Sequence, residues 1–334
     1  MAMDTKSPSE SKGLTSTEEE ILRAVNELRF VTVDEILRLL FKKGSKTYVR
    51  KILRSLAGGQ DGKMNEQLFR LRLPAAGGNH LRIYTLGRAG ARFLRHSGVP
   101  VPFFYRPQSA SYYSYGYLMH QLTLTKFLVA MRVFVRDHPS YHLADTLTSY
   151  AMAGNAPHIT LVSEDGKERT VGVIPDCWVY VEYRESEDNP QSVQGMPLWV
   201  ELDHGTESRS RFQELVLNRL TLIRDKKYEE YFGTSSVRFC YLAFGRTREA
   251  RLSRLFAMVR WVEEVLSEKS LISWGRLFHF ATIEPDLYES HALFTNAVWH
   301  KPFSHSAVSL FPIPKDLEES HGHKTTPQEP RANE

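Results

Sequence analysis

Three carboxylates are spaced where they could hold a cation. Glu201 and Asp203 stand two apart in PLWVELDHGTES, residues 197–208. Residues i and i+2 of a strand project from one face. Two like charges side by side are costly to bury unless something positive lies between them. Asp176, after Pro175 in IPDCWVYVE, lies one hairpin upstream and would converge with Glu201 where two neighbouring strands diverge. Hard oxygens in such a set favour Mg²⁺ or Mn²⁺, which would polarise a phosphate and activate water. The expected metal ligands are therefore Asp176, Glu201 and Asp203, with Arg211 and Arg219 of the following segment as basic helpers turned the way of Glu207 and Glu214. The same residues admit a structural reading, in which Asp203 caps or solvates the strand end and Glu201 pairs with an arginine of the next helix.

The elements that must position these groups are readable from periodicity. LMHQLTLTKFLVAMRVFVRD is a helix with a broad apolar face, and YHLADTLTSYAMA is strand-like. ITLVSEDGKERTVGVIPDCWVYVEY reads as a strand, a turn at Asp165-Gly166 and a second strand through Val181. A polar loop follows, then the strand PLWVELDHG. TESRSRFQELVLNRLTLIRDKKYEEYF is expected to be one long helix, SVRFCYLAF a strand, TREARLSRLFAMVRWVEEVLSE a helix and RLFHFATI a final strand.

The N-terminal third is different in kind. TSTEEEILRAVNELRF opens with a cap at Thr15 or Ser16 and acidic residues in the first turn. VTVDEILRLLF repeats the pattern with Thr32 as cap. SKTYVRKILRSLA makes a third helix ending at Gly58, with Tyr48, Ile52, Leu53 and Leu56 expected to face inward and Lys46, Arg50, Lys51 and Arg54 outward. LFRLRLP and LRIYTL alternate about the turn cluster AAGGNH, a β-hairpin, and GRAGARFLRHSG adds a last helix.

Charge is concentrated in the same region. From Arg38 to Arg95 fourteen basic residues face only Asp61 and Glu66, a net +12 in a chain of net +4. Such an excess suits a polyanion, most simply nucleic acid. Lys46, Thr47, Arg50, Lys51 and Arg54 are the major-groove candidates, with Arg70, Arg72, His80 and Arg82 on the hairpin. No apolar run of membrane-spanning length and no signal-peptide apolar segment is evident in the sequence, so a cytoplasmic protein without membrane contact is expected. Cys177 and Cys240 sit in apolar runs and are expected to be reduced core residues.

Three helices with a basic third one, then a hairpin, resemble a winged helix-turn-helix, and IYTLGRAGARFL resembles its second wing strand and closing helix. Helix, strand meander, helix, strand, with IPD and VELD on neighbouring strands, resembles the restriction-endonuclease-like fold, whose signature is Pro-Asp followed by Asp/Glu-x-Lys; Asp203 stands where that lysine would. The combination, with ELD, one variable residue and GTES, resembles the replication-relaxation family of bacterial plasmid and mobile-element proteins over roughly residues 15 to 270.

The expected fold is therefore α+β: residues 1–13 disordered, a winged helix over 14–97, a linker over 98–117, a restriction-endonuclease-like mixed-sheet domain over 118–313 and a disordered tail over 314–334. The resemblance implies a protein that binds double-stranded DNA in plasmid or mobile-element replication or mobilisation. Metal-dependent nicking and a replication, relaxase or transposition protein as partner belong to that expectation. The competing reading is a non-enzymatic DNA-binding adaptor or transcription regulator with a degenerate nuclease-like interaction domain.

Overall fold

The computed structural model describes residues 14–58, 66–74, 80–106, 113–162, 165–185, 193–283 and 292–313. The expected disorder at both ends, the middle of the expected linker, most of the AAGGNH turn and the middle of the polar loop before the PLWVELD strand lie outside these residues. The chain forms two compact units, 1–125 and 126–334.

In the first unit α1 (Ser16–Leu28), α2 (Val33–Leu40) and α3 (Lys46–Leu56) are followed by the antiparallel pair β1 (Leu68–Pro74) and β2 (His80–Leu86), then by α4 (Arg88–His96). Thr15 and Thr32 cap α1 and α2, each in a reciprocal box with the glutamate three residues on, Glu18 and Glu35. Such boxes satisfy amides that a helix start leaves open. Ile21, Leu22, Val25, Ile36, Val49, Leu53 and Ile83 are fully buried. Periodicity places Tyr48 inside α3, but it is 55% exposed and Val49 takes the inward place. The inward stripe of Val49, Ile52, Leu53 and Leu56 is already continuous, so the apolar ring one position earlier falls beyond its margin.

The division between units falls within α5 (Tyr115–Asp137). Its first turns complete the first unit: Leu118 and Leu122 pack with Phe30, Leu73 and Ile83. Thr125 donates to the Phe30 carbonyl at 2.8 Å. A chain ended at residue 97 would leave that apolar cluster open. By length and composition α5 is also apolar enough to cross a membrane, against the expectation from sequence that no run reaches that length. Its most apolar window is 67% buried, the pattern of a core helix.

The second unit is built on a five-stranded sheet in the order β3-β6-β7-β8-β9. β3 (Tyr141–Thr148), β6 (Cys177–Arg184) and β7 (Val193–Asp203) form an antiparallel meander; β8 (Arg238–Ala243) and β9 (Phe278–Thr282) add in parallel. α6 (Ser149–Met152) follows β3. β4 (His158–Val162) and β5 (Glu168–Gly172) then pair as a separate two-stranded sheet. The expected single strand from Lys167 through Val181 is thus two strands, broken just before Pro175, which cannot donate to a ladder. α7 (Arg209–Arg224) and α8 (Lys227–Phe232) replace the expected single helix, because Lys226 turns into the left-handed region at φ +57°. α9 (Arg248–Glu268) and a 3₁₀ turn (Ile272–Leu277) lead into β9.

Trp178, Trp199, Phe239, Tyr241, Phe278 and Phe280 pack against Phe212, Val216, Leu220, Leu255, Met258 and Val262 of α7 and α9. The segment 292–313, where periodicity predicts no element, contributes α10 (Ala292–Thr295) and buries Phe294, Trp299 and Phe311. Cys177 and Cys240 are buried free thiols, as expected.

Candidate functional site

Asp203 ends β7 and Asp176 immediately precedes β6, one step beyond the Cys177–Val200 cross-strand pair. Trp199, Glu201 and Asp203 alternate onto one face of β7, the face that α7 and α9 cover. The three expected carboxylates are therefore near one another. Two of them are each already paired with a guanidinium.

Arg254 of α9 grips Asp203 with two parallel bonds, Nε to Oδ1 and Nη2 to Oδ2, both 2.7 Å. Oδ1 also accepts the Gly205 amide at 2.7 Å, and Arg254 donates a further bond to the Glu207 carbonyl at 2.9 Å. This is the planar fork geometry in which arginine binds carboxylate best. Both side chains are largely withdrawn from solvent, 14% and 5% exposed. The loop that returns the chain from β7 is thus tied to α9, with Gly205 supplying the turn at φ +76°.

Glu201 has its own cation. Arg219 of α7, with a side chain 4% exposed, donates to Oε1, and Trp199 Nε1 donates to the same oxygen at 2.7 Å. The guanidinium lies 5.9 Å from the Trp199 ring and 5.6 Å from the Tyr241 ring. Burial pushes the Glu201 carboxyl above its ordinary range, Arg219 pulls it back and the Asp176 charge adds to the rise. Burial is the largest influence on the Arg219 cation and works against it, but the Glu201 charge, with the Tyr241 oxygen, the hydrogen bond to Glu201 and the Asp176 charge, together outweighs burial and raises its pKa. Asp176 Oδ2 accepts the Leu202 amide at 2.7 Å. Arg211 stands apart, bonded to Glu214 at 2.6 Å on the exposed side of α7.

A divalent cation does not fit this donor set. Asp203 has both oxygens engaged by Arg254, and Glu201 Oε1 is shared by Arg219 and Trp199. Among the described residues no group of three His, Cys, Asp or Glu is arranged to hold a metal ion. Of the two readings open at the sequence level, Glu201 has the arginine partner of the second. Sequence reasoning misses Arg254 altogether. The signal for it is present: Arg254 lies on the apolar stripe of α9, four before Met258 and seven before Trp261, as Arg219 lies three after Val216 in α7. An arginine on a buried stripe demands a partner.

The basic surface of the first unit has the opposite character. Around α3 the exposed arc runs Arg50, Arg54, Thr47, Lys51, Ser55, Tyr48, at about 100° per residue. Lys46 is held at 2.6 Å by Asp34. Among the described residues Arg50, Lys51, Arg54, Arg72 and Arg82 have no acidic partner. On the hairpin Arg72 lies directly opposite Arg82, His80 opposite Pro74 and Arg70 opposite Tyr84, all on the face turned away from Leu73 and Ile83. Directly opposed like charges destabilise a strand pair. An anion between them would relieve the repulsion.

Fold and surfaces together define a two-unit α+β protein: a helical and hairpin unit with an unpaired basic surface, and a mixed-sheet unit with internally neutralised carboxylates. The chain belongs to the replication-relaxation family, whose sequence model matches residues 22–237, from α1 to the edge of β8. Membership points to a role in plasmid or mobile-element replication or mobilisation. Comparison with curated proteins and with solved structures gives no match.

Proposed function

We propose that the first unit is a winged helix that docks on duplex DNA, with α3 in the major groove and the β1–β2 hairpin over the backbone or minor groove. The observation that carries this reading is the set of exposed, unpaired cations on α3 together with the Arg72–Arg82 opposition. Phosphates supply the missing countercharge. Each lysine or arginine that meets one releases condensed counterions and adds affinity that falls with salt. In the second unit α5, the sheet strands β3, β6 and β7, then α7 and β8 follow in chain order, with α6, β4, β5 and α8 inserted. This order is compatible with the expected restriction-endonuclease-like scaffold, and we read the unit as a non-cleaving platform for a replication, relaxase or transposition protein. Support for that part comes from Arg219 and Arg254, which take the place a cation would need.

The test is direct titration of a fluorescent duplex with the full chain. Arg50→Ala with Arg54→Ala should weaken binding to any duplex and make its salt slope shallower by about one for each phosphate no longer neutralised. Wild-type affinity in the double variant would remove α3 from the interface. Supercoiled plasmid incubated with wild type and Mg²⁺ or Mn²⁺ should stay supercoiled; nicking that Asp176→Ala abolishes would restore the catalytic reading.

A further inference from the structure

The exposed arc of α3 is not uniformly cationic. One margin carries Arg50 and Arg54, the centre carries Thr47, Lys51 and Ser55, and the other margin carries an aromatic ring, Tyr48. A lone exposed aromatic would need no explanation. Three further observations give this one a role. Tyr48 lies in the first turn of α3, the part of such a helix that meets base edges when it enters the major groove. Its ring is fixed edge-on against Phe41, with centroids 6.0 Å apart and planes at 76°, so presenting it costs little further ordering. Phe41 closes α2, so the ring is set by the preceding helix as well as by its own. Finally, its hydroxyl has no hydrogen-bond partner among the described residues.

We propose that Tyr48 is the sequence-discriminating residue of α3, making an apolar contact to a thymine methyl in the major groove. The inference rests on the duplex-binding reading above and assigns a different task to each margin. Arg50 and Arg54 would supply charge that any duplex satisfies. Tyr48 would supply contact that only some base pairs satisfy, since the thymine methyl is the one apolar group displayed there. An uncharged ring makes no counterion contribution, so its removal should alter selectivity and leave the salt dependence intact.

The experiment is selection from a duplex library with a randomised centre, using full-length wild type, Tyr48→Phe and Tyr48→Ala. The enriched duplex and a scrambled one are then titrated. Wild type and Tyr48→Phe should enrich the same thymine-containing motif. Tyr48→Ala should bind the enriched duplex about tenfold more weakly, an effect the size of one mismatched base pair, while its scrambled-duplex affinity and salt slope stay at wild-type values. Replacing thymine by uracil in the enriched duplex should weaken wild type and leave Tyr48→Ala unaffected. The proposal is overturned if Tyr48→Ala keeps wild-type affinity for the enriched duplex, if wild type enriches no motif, or if both duplexes lose affinity equally. A wild type that binds no duplex at all would instead bring down the DNA-binding reading itself.

Discussion

Arg54 and Arg254 carry the same group and do opposite things. Arg54, with Arg50, Arg72 and Arg82, stands exposed with no carboxylate among the described residues to answer it. Arg254 and Arg219 are withdrawn from solvent and each is matched to one carboxylate, Asp203 and Glu201. The first set keeps its charge for a partner outside the molecule. The second uses it to join α9 and α7 to the end of the sheet, where two buried carboxylates would otherwise repel. Residue type alone does not separate a binding cation from a structural one. The deciding quantity is whether an acidic partner is already within reach at an acceptable desolvation cost.

The sharpest way to break this contrast is Asp203→Lys, which writes the usual nuclease lysine into the VELD stretch. In a metal site one residue short of the standard pattern, that change would improve function. Here it removes the bidentate partner of Arg254 and adds a like charge beside it. Loss of one partner of a buried pair costs about 3–5 kcal/mol, so urea denaturation should show a stability loss of that order or larger. Arg50→Ala with Arg54→Ala removes just as much charge chemistry from the first unit, yet should change stability by no more than about 0.5 kcal/mol per site. Equal effects from the two changes would erase the distinction.

His279 sharpens the comparison from a third direction, as a buried base with no acid to pair with among the described residues. Burial, with the nearby charges of Lys301 and Arg238, lowers its pKa from 6.5 to about 3, against a weak pull from the Leu277 carbonyl. The folded chain therefore keeps it neutral while the unfolded chain protonates it, so stability is lost as pH falls from 6.5 towards 3. His279→Asn should flatten that part of the pH–stability curve. An unchanged acid limb would mean the imidazole takes up its proton in the folded state.

The smallest expected effect is none. If Arg219 and Arg254 already neutralise the carboxylates, Mg²⁺ or Mn²⁺ should leave the Tm of wild type where it is, because a ligand stabilises only by binding the native state. A clear rise, absent from Asp176→Ala, would show that the carboxylates leave their arginines for the metal.

Much of this contrast is legible in the sequence, and its limits have physical causes. The caps at Thr15 and Thr32, the hairpin and the order of the central strands follow from local signals: capping boxes, period-two alternation and turn residues. The concentration of charge between Arg38 and Arg95 is visible as composition. What cannot be read is helix rotation. Whether Tyr48 or Val49 turns inward depends on a rotation of one residue, and both are acceptable core side chains by type. The partner of Asp203 lies 51 positions away on another helix, a tertiary fact that strand periodicity does not encode. The break at Lys226 needs a positive φ at a residue with no preference for it, so TLIRDKKYEEYF gives no warning of a second helix.

That the cations which meet duplex DNA lie on α3 and the hairpin is tested most directly by the salt dependence of duplex binding. The slope of log affinity against log salt should be measured for full-length wild type, for Arg50→Ala with Arg54→Ala, and for Arg246→Ala with Arg248→Ala, two exposed arginines of the second unit. The first variant should show a shallower slope, by about one for each phosphate it no longer neutralises, and the second should keep the wild-type slope. A slope unchanged by removing Arg50 and Arg54, or reduced as much by removing Arg246 and Arg248, would contradict this assignment of the binding charge.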